Sequence, residues 1–333
     1  MTLALTHSVA LLGLEGHLVT VEVDIADGLP GYSLLGLPDA ALTESRERVR
    51  SAIVNCGEVW PNRKVTVSLS PAWLSKSGSS FDLAICISVL SAHESIAKEK
   101  IEELLFLGEL SLDGRIRSVR GVLPALMAAY KAGVRTAVVP AANFEEAQLM
   151  QAMNIIPMEH LKQVLRWLRT GEREVVQEFD LQWEQTDTRL DFADVAGQSD
   201  ARLAAEIAAI GGHHILLIGP PGAGKTMIAE RIPTIMPALS IEQALEVTAV
   251  HSIAGTLTQR SPLSLLAPIV SPHHTTTRIA MVGGGSHAIK PGACSLAHYG
   301  VLFVDEAPEC GPGVLDALRQ PLESGTITIA RSV

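Results

Sequence analysis

A chain of 333 residues is too long for one ordinary core and predicts two domains, each burying its own apolar surface. Hydrophobic residues at 47% against 19% charged exclude an intrinsically disordered chain, and a formal net charge of −10 excludes a protein that coats nucleic acid indiscriminately, because such binding rests on neutralising phosphates with Lys and Arg. The four cysteines, Cys56, Cys86, Cys294 and Cys310, are dispersed without a C-x-x-C pair, which argues against a disulfide framework or zinc ribbon and for a reduced, cytoplasmic setting.

Residues 1–16 carry no basic segment, and beyond them Val19, Val21, Val23 and Ile25 alternate with Thr20, Glu22 and Asp24. That period of two reads as a strand over 18–25 and not as a secretory signal. No run of about 18 apolar residues occurs, so no membrane span is expected. Residues 39–55 predict a helix with Leu42, Val49 and Ile53 on one face and Gly57 just past its end, and Lys64–Ser70 alternates as a second strand. Residues 105–112, the turn Asp113-Gly114 and residues 115–119 predict a hairpin; Pro124 then opens a helix that stops at Gly133 and leads into a strand over 136–139. Residues 1–168 therefore read as an α/β domain of alternating strands and helices. Residues 169–191 turn polar and charged and are the linker candidate. The second domain, 192–333, begins near Phe192 with a helix over 199–210 and an apolar run at 215–218 that predicts a buried strand.

Gly219-Pro220-Pro221-Gly222-Ala223-Gly224-Lys225-Thr226 matches G-x-x-x-x-G-K-[ST] in full, between that run and a helix-compatible stretch, and with Met227 it makes up the expected nucleotide-binding set. The glycines allow backbone N–H groups to point inward at phosphate, and the helix start adds a favourable dipole. Lys225 is placed to neutralise the β and γ phosphates of ATP, and Thr226 to offer its hydroxyl to Mg2+. About 80 residues downstream, Val301-Leu302-Phe303-Val304 ends in Asp305 and Glu306. Asp305 is expected to orient the magnesium, and Glu306 to activate the attacking water.

The residues around these motifs resemble the magnesium chelatase-like branch of the AAA+ ATPases, and in particular its ComM/YifB type. The resemblance is carried by Phe192-Ala193-Asp194-Val195-Ala196-Gly197-Gln198, where that family places its adenine-side linker, and by Glu246-Val247-Thr248, Pro272-His273-His274-Thr275, Gly283-Gly284-Gly285, Ser295-Leu296-Ala297-His298 and the stretch 315–323. It implies a partial AAA+ P-loop domain and an ATP-driven DNA motor: a hexameric ring helicase promoting branch migration as incoming strands recombine in natural transformation. Two other readings stay open. One is a chelatase motor subunit driving magnesium into a porphyrin, and the other is an ATP-dependent protease.

Between Glu246 and Asp305 no acidic residue occurs, whereas Arg260, Arg278, Lys290 and five histidines do. In a ring this surface would repeat around a channel, and a threaded single or branched DNA strand is its natural ligand, with Arg278, Lys290, His273 and His274 as candidate contacts. The alternative is an internal loop packed on the ATPase core. His273, His274, Cys294 and His298 also suggest a zinc set, although Cys294-x-x-x-His298 is loose spacing without a second cysteine pair; packing or capping histidines are the competing reading.

Residues 1–168 look like the proteolytic domain of Lon proteases, an α/β fold of the ribosomal S5 domain 2 type. Lys76-Ser77-Gly78-Ser79-Ser80 falls where that family carries its serine, and residues 108–114 match the hairpin before its catalytic lysine, whose place is taken by Leu123. A serine hydroxyl needs an adjacent base to become nucleophilic, so Ser80 is expected to be inert, and Lys131, further along the helix, does not replace the missing amine. By the same resemblance, residues 326–331 begin the hairpin ahead of the polar sensor. The sensor, arginine finger, helical lid and one central strand of the ATPase sheet fall beyond Val333, so weak ATP binding and little turnover are expected of residues 1–333 alone.

Overall fold

The computed structural model describes residues 2–172, 190–257, 263–285 and 289–329. The chain divides into two compact units, Met1–Leu181 and Gln182–Val333. Most of the expected linker, together with Arg260 and His287, lies outside the described residues.

The first unit is built on strands β1 (Thr2–Leu12), β2 (Glu15–Ala26) and β3 (Gly31–Leu35), helices α1 (Ala40–Thr43) and α2 (Ser45–Asn55), β4 (Lys64–Ser70) and α3 (Asp82–Ala92). There follow β5 (Leu104–Phe106), the short hairpin β6 (Glu109–Leu110) and β7 (Ile116–Arg117), α4 (Val122–Lys131), β8 (Thr136–Pro140), α5 (Phe144–Ala147), β9 (Asn154–Met158) and α6 (Leu161–Thr170). Seven strands form one mostly parallel sheet in the order β3-β4-β2-β1-β5-β8-β9; only β2 runs antiparallel to its two neighbours.

The alternation in β2 has the expected effect: Val19, Val21, Val23 and Ile25 are buried together beneath α3. Each contributes about 1.5–3 kcal/mol by leaving water. Polar groups on the same face are satisfied by α3, for Thr6 Oγ1 donates to the Ala84 carbonyl at 3.1 Å and lies 2.7 Å from Ser88 Oγ. On the opposite face Val9 and Leu18 pack with Val122, Ala125 and Leu126 of α4. The sheet is therefore covered on both sides, which a mainly parallel sheet requires. The helix expected over 39–55 divides at Glu44 into α1 and α2, with Asp39 capping the first through Leu42 N–H at 2.8 Å.

The second unit opens with a single turn at Phe192–Asp194, then α7 (Ser199–Gly211), α8 (Lys225–Arg231) and α9 (Ile241–Ala254). Next come β10 (Ile269–Val270), α10 (Arg278–Val282), β11 (Gly283–Gly284), β12 (Lys290–Pro291), α11 (Ala293–Leu296), β13 (Val301–Leu302) and α12 (Pro312–Ser324). Here the sequence reading needs correction. Residues 215–218 pair with no strand among the described residues, and Leu216 and Ile218 are exposed, while Ile215 and Leu217 pack against Phe192, Val195 and Ile228. Apolar character alone does not make a strand, because the backbone N–H and C=O groups need a neighbour to bond. β13 does have one, β10, which runs parallel to it.

Candidate nucleotide site

The loop after residues 215–218 turns through Gly222 and Gly224, whose φ values of +79° and +82° lie in the left-handed region that only glycine enters without strain. Gly224 then caps α8, so Lys225 and Thr226 stand at its first two positions, where backbone N–H groups have no partner within the helix. Lys225 Nζ folds back over the loop and donates to the carbonyls of Gly219 at 2.8 Å and Pro220 at 3.0 Å. Pro221 and Ala223 complete the turn, the latter donating its N–H to the Pro220 carbonyl, and Met227 packs with the core of this unit. Gln198, from the segment ahead of α7, donates to the Ala223 carbonyl at 3.2 Å and so ties that segment to the loop.

The second half of the site arrives on β13. Ile269 pairs with Val301 and Val270 with Leu302, and the ladder is extended by Val301 N–H to Pro268 at 2.8 Å and Phe303 N–H to Val270 at 2.9 Å. Gly300 makes this approach possible: a Cβ there would lie 2.0 Å from the Pro268 carbonyl oxygen. Asp305 is thereby set 3.1 Å from Thr226, whose Oγ1 donates to Asp305 Oδ2 across 79 positions of sequence. Its other oxygen, Oδ1, accepts the Glu306 N–H at 3.0 Å.

Glu306 holds a left-handed backbone, φ +49°, an unfavourable conformation for a residue with a side chain and one found disproportionately at functional sites. Its Oε2 lies 3.7 Å from Nδ1 of His274. His274 stands in the sequence among the nucleic-acid candidates, and the one local signal for this approach is that the His273-His274 pair closely follows an apolar stretch that becomes β10.

The lysine amine, the threonine hydroxyl and the aspartate are thus gathered on one edge. A hydroxyl beside a carboxylate, next to an ammonium and unpaired helix-start amides, is the donor set that suits a magnesium-bound polyphosphate, so the residues present fit Mg2+ and ATP.

The acid-free stretch is divided in its roles. His251 Nε2 lies 3.1 Å from the Leu296 carbonyl and His298 Nε2 lies 3.3 Å from Glu246 Oε2, so both are held by packing partners. His273 contacts Thr275 at 2.9 Å and packs against His274 with ring centroids 4.0 Å apart and planes tilted by 35°. Among the described residues, no group of three metal-ligating side chains converges there or elsewhere. Arg278 and Lys290 are exposed, one opening α10 and the other on the β11–β12 pair that follows it.

In the first unit the position aligned with a catalytic lysine is Leu123, fully buried, with its N–H donating to Glu146 at 2.7 Å. Ser79, beside Ser80, donates to Glu109. The fully buried Lys76 donates to the carbonyls of Leu69 and Pro71, and burial lowers its pKa. Asp82 is fully buried against Arg48, at 2.6 and 3.0 Å, and accepts Leu110 N–H at 3.2 Å; burial nonetheless pushes its pKa up to about 6.

Two family models match the chain: "Magnesium chelatase, subunit ChlI" over residues 191–333 and "Subunit ChlI of Mg-chelatase" over 21–143. An uncharacterized protein of Mycobacterium tuberculosis is 50% identical over 99% of this chain and 66% of its own length. YifB of Escherichia coli, also uncharacterized, is 41% identical, and competence protein ComM of Haemophilus influenzae 40% identical, each over 100% of this chain and 65% of its own length. The chain thus spans about two thirds of the length of the curated relatives it matches. Over 165 residues it is also 26% identical to Lon protease 1 of Myxococcus xanthus, in keeping with a Lon-like α/β first unit ahead of an AAA+ P-loop unit. Among the described residues no helix is long and apolar enough to cross a membrane. With two chelatase models matched and full-chain similarity to YifB and ComM, the chain belongs to the magnesium chelatase-like ComM/YifB family.

Proposed function

We propose that the protein is an ATP-driven motor acting on DNA, of the kind that moves branched or single strands during recombination in natural transformation. The observation that supports this most is the Thr226–Asp305 contact, because it joins the phosphate-binding loop to the carboxylate strand as magnesium-dependent hydrolysis requires. Magnesium, if bound, would be held by Thr226 and Asp305 and would supply neutralisation of the phosphate charge. Lys225 exchanges its two loop carbonyls for phosphate oxygens, the backbone from Gly219 to Thr226 cradles the phosphates, and Glu306 takes a proton from the attacking water. Arg278 and Lys290 contact the DNA backbone. The domains run 1–168, 169–191 and 192–333, and the motor works as a cytoplasmic hexamer. The first domain is non-proteolytic, since a buried Leu123 provides no base for Ser80.

Kinship to the chelatase subunit keeps a second reading in view, in which the same motor drives metal insertion into a porphyrin. The full encoded protein separates the two. Hydrolysis that depends on Lys225 and rises with forked DNA supports the DNA motor; hydrolysis that rises only with porphyrin-handling partners overturns it.

A further inference from the structure

In the first unit, several large apolar side chains stand in water around one loop. Trp73, between β4 and α3, is 70% exposed, and its ring meets His17 of β2 edge-on with centroids 6.1 Å apart. Leu12 and Leu14, at the β1–β2 turn just ahead of His17, are 41% and 51% exposed, and Leu37, beyond the end of β3, is 59% exposed. A leucine scattered singly on a surface needs no explanation, but Leu37 and Trp73 are held outward by features that cost stability.

Leu37 has a left-handed backbone, φ +55°, which a bulky side chain disfavours and which persists only where its surroundings enforce it. The loop that carries Trp73 enforces it. The Leu37 carbonyl accepts the Lys76 N–H at 3.2 Å, and the Lys76 carbonyl accepts the Asp39 N–H at 3.0 Å. Lys76 is itself fully buried, and its ammonium closes the loop from beneath by donating to the carbonyls of Leu69, at 2.8 Å, and Pro71. Gly36 reaches the root of this loop because it has no side chain: a Cβ there would lie 2.2 Å from the Leu69 carbonyl oxygen. A buried charge and a strained leucine are each unfavourable, and together they fix Leu37 and Trp73 in one arrangement. That rigidity reduces the entropy lost when a partner covers them.

Size and charge say what covers them. Trp73, Leu37, Leu12 and Leu14 expose on the order of 400 Å2 together, about half of the ~800 Å2 per partner that two folded surfaces bury in a stable complex, but enough for one side of a single helix. From Leu37 to the β1–β2 turn the patch crosses the ends of β3, β4, β2 and β1, roughly 14 Å at the ~4.8 Å spacing of paired strands. A helix covers that span in nearly three turns, with apolar anchors three and four residues apart. The stretches that build the patch, 12–17, 35–39 and 71–75, hold Glu15 and Asp39 but neither Lys nor Arg, so complementary flanks are basic.

We infer that the first unit docks a basic amphipathic helix of a partner protein on Trp73, Leu37, Leu12 and Leu14. The probe is a fluorescein-labelled peptide of two Leu-Lys-Lys-Leu-Leu-Lys-Leu heptads, titrated against the full encoded protein by fluorescence anisotropy. Saturable binding is expected, weakened about tenfold by Trp73→Ala and about fivefold by Leu37→Gly, with Trp73→Phe within about threefold of wild type. Leu37→Gly relieves the left-handed strain, so it should bind worse while melting at no lower a temperature than wild type. A peptide of the same composition with leucine and lysine alternating, whose apolar stripe forms only in a strand, should bind at least about tenfold more weakly. So should the helical peptide with glutamate in place of lysine.

Equal affinity of wild type and Trp73→Ala, with wild-type melting of the variant, overturns the site, and equal binding of the alternating peptide overturns the helix. Two other occupants have their own signatures. If Trp73→Ala splits the unliganded protein into smaller assemblies on sedimentation, a second copy covers the patch. If it abolishes co-sedimentation with phosphatidylglycerol vesicles and leaves peptide binding intact, a membrane does. Either result overturns the partner helix.

Discussion

Replacing Lys225 with alanine separates the contribution of the ammonium from that of the loop that carries it. The amine is held by two carbonyls of its own loop, Gly219 and Pro220, and must release both to reach a phosphate. Both sets of bonds are charge-assisted through the ammonium, at about 1.5–3 kcal/mol each, but only phosphate oxygens carry the opposite charge, so the exchange adds a Coulomb attraction that the loop carbonyls do not offer. The balance favours phosphate, and its loss is expected to weaken nucleotide binding by roughly ten- to a hundredfold. Titrating the full encoded protein with a fluorescent, non-hydrolysable ATP analogue measures this directly. Because the lysine effect is electrostatic, it should persist when Mg2+ is chelated. The Thr226→Ala effect, about tenfold with Mg2+, should shrink to within about twofold in chelator, since that hydroxyl acts through the metal. Thermal stability should stay unchanged for both, as neither side chain belongs to the core. A Lys225→Ala affinity within twofold of wild type, in a variant with wild-type stability, would refute the assignment of the loop.

Three further expectations concern the scaffold. Gly300→Ala places a Cβ 2.0 Å from the Pro268 carbonyl, so β10 and β13 must separate; magnesium-dependent analogue binding should fall at least as far as for Thr226→Ala, with a loss of stability of about 1–3 kcal/mol read from denaturant melts. In the first unit, Arg48→Ala leaves Asp82 buried without its partner and should cost about 3–5 kcal/mol, most of which a second change, Asp82→Asn, should restore. Asp82 has a folded pKa raised to about 6, so its contribution to stability is complete below its unfolded value and is lost as pH rises through 6; relative to Asp82→Asn, wild type should weaken by roughly 3 kcal/mol between pH 4 and 7, and a flat difference across that range would contradict the raised pKa.

Much of this architecture is legible in local pattern. The alternation from Val19 to Ile25 placed both a strand and its buried face, and Gly133 ended a helix where expected, because periodicity and turn chemistry act over a few residues. The turn through Gly222 and Gly224 into the helix at Lys225 is legible for the same reason, since its glycines and lysine are contiguous. What escaped was non-local. Residues 215–218 have the composition of a strand, yet among the described residues no partner strand lies alongside them, and composition does not encode who the neighbour is. Nor does anything near Glu306 in sequence point to His274, because their approach is made by the pairing of β10 with β13. Asp82 and Arg48 likewise meet only because α2 crosses the start of α3.

That pairing of β10 with β13 has a further consequence. Two strands that point the same way deliver whatever follows them to the same edge, so the histidine pair and the two carboxylates emerge side by side without any loop having to double back. Since each strand contributes only two ladder residues, a slip of one position would displace everything downstream by about 3.3 Å and turn every side chain over. Threonine and aspartate would then part company, and glutamate and histidine with them. This two-residue ladder thus acts as the alignment key for both contacts, and its fidelity falls on a glycine that contributes no side chain at all.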